Sequence, residues 1–169
     1  MDKNILVVIL LLIVGGSALI SLLAVVALLF PQPVERTRNV IETSLVKSFL
    51  LGLVNFLFAA AIVALFARLG QNAGGVLAAL LFLVALLVLL ILAAFSLLGL
   101  AGLTTLIGER INEGTSPFRR HLRGSLLFVL AGLTPYVGWF AFAPLALIAG
   151  FGAALQAAFR KKEKVVPAG

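Results

Sequence analysis

Apolar residues fill this chain in four long runs, and all of its charges fall between or beyond them. The first run, residues 4–30, is uncharged and closes on Pro31 and Pro33, which withhold backbone donors and so interrupt a helix. As a helix it would be about 40 Å long, enough to cross a bilayer with tilt. A cleaved signal peptide fits less well, because its apolar core spans only about 7–15 residues behind a basic start. Here Asp2 offsets Lys3.

The stretch "PVERTRNVIETSLVKS", residues 33–48, is polar, with Val34, Ile41 and Leu45 near helical spacing. Two readings stand side by side. Those positions lay one apolar stripe on the membrane surface with Arg36, Arg38 and Lys47 at headgroup level, or the stretch is a short solvated linker. Residues 49–67 form a second span, closed by Arg68 and the polar turn "LGQNAGG". Asn55 is its one strongly polar residue, and an amide at that depth is expected to bond a neighbouring helix.

Residues 76–107 are a single apolar run without proline. At about 48 Å as a straight helix, the run exceeds the hydrocarbon thickness of about 30 Å and must tilt, bend or protrude. Gly99 and Gly102 are the expected bending positions, and they also permit close helix approach.

The last run, residues 124–158, holds 35 residues without a charge. One straight helix of that length, about 53 Å, is far too long for a single crossing. Thr134 precedes Pro135 and so disfavours the helical region, while Tyr136 and Trp139 suit a membrane–water interface. A turn over residues 134–139 satisfies both, with Pro144 in the first turns of the returning limb. Gly150 and Gly152, among Ala149, Ala153 and Ala154, make a smooth face for packing within the protein or against a partner subunit.

The pattern predicts an all-α integral membrane protein: three transmembrane helices plus a C-terminal helical hairpin, four to five membrane segments in one domain. The segments are residues 4–30, 49–67, 76–107, 122–134 and 139–158. Charge tests the hairpin independently. With a single last crossing, six Lys and Arg residues face seven across the membrane. With a hairpin, Arg36, Arg38, Lys47, Arg110, Arg119, Arg120, Arg123, Arg160, Lys161, Lys162 and Lys164 share one side, leaving Lys3 and Arg68 on the other. Cytoplasmic loops carry the Lys and Arg excess, so the N terminus is expected outside and the C terminus in the cytoplasm of a bacterial inner membrane. Were residues 76–107 also a hairpin, the split would be three against ten with the orientation reversed; the absence of proline there argues against it.

Composition agrees with a lipid solvent: 63% of residues are hydrophobic and 11% charged, against about 45–50% and about 25% in soluble domains. The net charge of +7 suggests nucleic acid less than anionic lipid, because the cations flank apolar runs. Arg119, Arg120, Arg123, Arg160, Lys161 and Lys162 are the expected headgroup contacts. The chain has no cysteine, which excludes disulfides and thiolate chemistry. All six carboxylates lie at or beyond the ends of the spans, whereas an ion-coupled transporter needs ionisable groups at depth; a passive pore is left open. His121, the one histidine, cannot build a metal or haem site alone. No catalytic residue, cofactor or metal site is expected.

Three pieces resemble a family of polytopic bacterial membrane domains that occur alone or after bactofilin-like or adhesin-like β-repeat segments. They are "PQPVERTRNVIETSLVKSFLLGL", "IGERI" and "GSLLFVLAGLTPYVGWFAFAPLALIAGFGAAL", within residues 31–160. The family has no established activity, so the resemblance implies architecture alone. This chain departs from the β-repeat members by opening on a membrane helix. The sequence therefore leads to a structural or accessory subunit of a membrane assembly, with lipids and protein subunits or further copies as partners. The alternative is a passive channel or a lipid- or hydrophobe-handling protein.

Overall fold

A computed structural model describes residues 3–111, 117–134 and 136–159. These residues form helices, without a strand among them. Helix α1 (Lys3–Leu29) stops at Phe30, which leaves helical geometry at φ −123°, ψ 56°. Helix α2 (Pro31–Asn72) then opens with Pro31 and Pro33 in its first turn, where a missing N–H removes no helical bond.

Inside α2, Ser44 is non-helical, at φ −150°, ψ 47°. The break divides α2 into limbs over residues 31–43 and 45–72 that run in opposite senses along α3 (Gly75–Ile111). On the first limb, Thr37 lies against Gly102, Ile41 clusters with Leu106 and Arg38 reaches Glu109. On the second, Gly70 lies against Phe82, near the far end of α3. The turn from α2 into α3 closes with the Ala73 N–H bonding the Leu69 carbonyl at 3.0 Å, and Gly75 supplies a left-handed φ of +59°.

Helix α4 (Pro117–Leu133), a π-helical turn over Val137–Phe142 and helix α5 (Ala143–Phe159) form the C-terminal hairpin. Gly124, early in α4, touches Thr104 and Gly108 of α3. Near the end of α5, Ala157 clusters with Leu106. Both lie beside the C-terminal part of α3, so the chain reverses between them.

Two apolar clusters form the core. One joins Leu23 and Ala27 of α1 to Val34, Leu100, Ala101, Phe128 and Ala146; the other joins Val40 and Ile41 to Leu106, Ala153 and Ala157. Helix α1 contributes only its second half, and Ile5 to Val14 are exposed. Four helical stretches are long and apolar enough to cross a membrane, namely Ile5–Leu29, Pro31–Asn72, Gly75–Ile111 and Val137–Phe159, with the shorter apolar His121–Leu133 beside them. The architecture is all-α and membrane-compatible.

One expectation changes. Residues 33–43 are neither a surface stripe nor a solvated linker: Val34, Thr37, Val40 and Ile41 are buried against other helices of the bundle. Leu45 falls beyond the break and is exposed. Gly99 and Gly102 lie inside α3, which stays helical throughout its 37 residues, and both sit at close contacts with neighbouring helices.

Candidate functional site: the polar helix ends and the α2–α5 cleft

Three elements bring their polar residues to one end of the bundle. Arg38, on the first limb of α2, holds Glu109 at 2.6 Å, Glu42 at 3.2 Å and the Asn39 carboxamide oxygen at 2.7 Å. Both carboxylates converge on one guanidinium, whose fork of donors suits such a cluster. Its Nε is buried without a hydrogen-bond partner among the described residues. Across α3, Thr105 Oγ1 donates to the Ala101 carbonyl at 2.7 Å and meets His121 Nδ1 at 3.0 Å.

The other polar link joins α2 to α5. Ser48, fully buried, donates to Gln156 Oε1 at 3.2 Å, and the Ser44 hydroxyl lies 3.5 Å from the same oxygen. This fixes the Gln156 carboxamide with its oxygen turned toward α2 and its two N–H donors left over. Beside it lies an open cleft of about 430 Å³, lined by Leu51, Asn55, Leu155, Gln156 and Phe159. Asn55 Nδ2 donates to the Leu51 carbonyl of its own helix at 2.8 Å. The interhelical bond expected of Asn55 is thus made by Gln156. An isolated amide in an apolar run is the signal that singled out Asn55, and it was equally present at Gln156.

The glycines set how closely the helices approach. A Cβ on Gly99 would run into the Gly150 backbone, one on Gly152 into Ser48 and Gly52, and one on Gly102 into Thr37 at 3.0 Å. Small residues at such contacts let backbones pack without intervening side chains.

At the hairpin tip, Tyr136 adopts φ 66°, ψ −63°, a rare γ-turn conformation for a residue with a side chain. The surrounding bonds hold it there. Gly138 N–H bonds the Thr134 carbonyl at 2.9 Å and Phe140 N–H bonds the Tyr136 carbonyl at 3.0 Å. Gly138 packs against the last carbonyls of α4, where a Cβ would meet the Ala131 and Gly132 oxygens. Tyr136 and Trp139 are 80% and 58% exposed at this tip, away from the Arg38 cluster.

Arg119 and Arg123 are exposed on α4. Arg120 lies on the same helix, but its side chain is outside the described residues, as are Arg160, Lys161, Lys162 and Pro135. Among the described residues, no three His, Asp or Glu side chains gather as a metal-binding group. No family model, curated protein or solved structure matches the chain.

Proposed function

We propose that this protein is a structural or accessory subunit of a larger assembly in a bacterial inner membrane. Its N terminus faces outside, and its basic loops and C-terminal tail contact anionic lipid on the cytoplasmic side. The observation that carries this reading is the outer half of the α2–α3 hairpin. There Phe58, Leu65, Leu77, Leu80, Leu87 and Ile91 are exposed, and the two helices protrude beyond the cores built with α1, α4 and α5. A protruding apolar pair offers broad surface to a partner helix or to lipid.

No catalytic role is assigned. Glu109 and Glu42 are engaged with Arg38. Purification in mild detergent tests the reading, with stoichiometric membrane proteins expected to accompany the chain. A homo-oligomer enclosing a central pore would replace it with a passive channel. The cleft between α2 and α5 favours one second reading, the handling of a lipid or another hydrophobe.

A further inference from the structure

The α2–α5 cleft combines three kinds of chemistry. Its walls are apolar, from Leu51, Leu155 and Phe159. Within them stand two carboxamides. Gln156 has spent its oxygen on Ser48 and keeps its N–H donors, and Asn55 keeps one N–H after bonding Leu51. The third component is charge. Lys47, Leu51 and Asn55 are spaced four apart on one face of α2, which sets Lys47 about 12 Å from Asn55 along the axis, toward the polar end. Lys47 is exposed and makes no ion pair among the described residues, whereas Arg38 is already engaged by Glu42 and Glu109. In sequence, Phe159 is followed directly by Arg160, Lys161 and Lys162.

From the polar end come Lys47, then the Gln156 amide level with Ser44 and Ser48, then Leu51 about 6 Å deeper beside Leu155. That is the order of a glycerophospholipid's phosphate, ester carbonyls and chain. We propose that this cleft binds one anionic glycerophospholipid. The phosphate lies beside Lys47, an ester carbonyl accepts from Gln156, and an acyl chain lies along Leu51 and Leu155 toward Asn55. A hydrocarbon alone would leave the Gln156 donors unmet, and a zwitterionic lipid brings its own ammonium to compete with Lys47 for the phosphate. The inference rests on the membrane reading and not on the partner subunit.

Native mass spectrometry of the full chain, purified in mild detergent with equal phosphatidylglycerol and phosphatidylcholine, tests it. The wild type should retain one phosphatidylglycerol per chain under washing that strips other lipid. Leu51→Trp fills the cleft and should abolish that retained lipid. Lys47→Gln should lower it about fivefold, the effect of one cation near an anionic surface. Lys47→Gln changes an exposed residue and keeps the test open should Leu51→Trp misfold. Joint replacement of Arg119, Arg120 and Arg123 by glutamine should reduce loosely bound anionic lipid and leave the retained molecule in place. Equal retention of phosphatidylcholine, or undiminished lipid in the cleft variants, would overturn the proposal. Loss of protein partners with the lipid kept would count against the subunit reading alone.

Discussion

Gly99 and Gly150 show how much a missing side chain can decide. Each is buried where α3 meets α5, and a Cβ on Gly99 would overlap backbone atoms of Gly150, which cannot swing aside as a flexible side chain does. Overpacking of this kind typically costs about 1–3 kcal/mol, and Gly99→Val should cost at least that. Thermal unfolding in detergent, followed by helical circular dichroism, measures it. Gly132 is the control, because an added Cβ there meets nothing within 4 Å. Gly132 lies in the last turn of α4, and Gly132→Ala should change stability by less than about 1 kcal/mol. Equal losses at the two positions would remove Gly99 from the contact. The four expected packing glycines are legible in sequence because small residues in an apolar run leave few other roles. Their partners are not, because nothing in the order of residues says that Gly99 meets Gly150 rather than lipid. The same gap separates Asn55 from Gln156: composition marks both amides, and only the fold shows which one faces Ser48.

At the scale of elements, residues 31–43 were the hardest part of the chain to read. Val34, Thr37 and Ile41 share one helical stripe, but periodicity does not distinguish a stripe facing lipid headgroups from one packed against neighbouring helices. The charges misled as well, since Arg38 looks solvent-seeking until Glu109, 71 positions later, is found opposite it. Single-residue dihedrals such as those of Ser44 leave no mark in composition either. The C-terminal hairpin, by contrast, was legible, because length, the Thr134–Pro135 step and the charge balance all demanded a reversal. Its geometry yields a direct expectation. Ile111 and Phe159 are exposed ends of α3 and α5 at the polar end of the bundle, while Asn72 lies at the opposite turn. The chain has no cysteine of its own, so single cysteines can be read without background. Cysteines at Ile111 and Phe159 should react with an impermeant thiol reagent from one membrane face, and a cysteine at Asn72 from the other. Labelling of Ile111 and Phe159 from opposite faces would break the hairpin.

For the whole molecule, the distribution of polarity along the bundle axis fixes where a bilayer can sit. The Arg38–Glu109 and Thr105–His121 contacts mark one end, and exposed Arg119 and Arg123 flank it. Away from that end, α4 turns back through Tyr136 and the π-helical turn. Backbone groups freed by a turn need partners in protein, water or the headgroup region. Here several are met internally, by the Gly138–Thr134 and Phe140–Tyr136 bonds and by Thr134 Oγ1 donating to the Ala131 carbonyl at 2.6 Å. Tyr136 and Trp139 nevertheless stand exposed beside the turn. Both are amphipathic rings whose polar group favours water while the ring favours the apolar boundary. If the tip lies at the interface opposite the basic end, the Trp139 indole sits shallow in the bilayer. Trp139 is the chain's one tryptophan, so its fluorescence reports that depth without labelling. In vesicles, lipids brominated near the headgroup should quench it strongly, and lipids brominated near the chain end weakly. The reverse profile would put the tip at mid-bilayer, making the hairpin re-entrant and shifting the whole bundle along the membrane normal. Phe140, 79% exposed on the same turn, would then face hydrocarbon from both leaflets, and the strained Tyr136 would have no headgroup water for its hydroxyl. That burial of an unpaired hydroxyl, at about 1–3 kcal/mol, is the physical reason to expect the shallow profile.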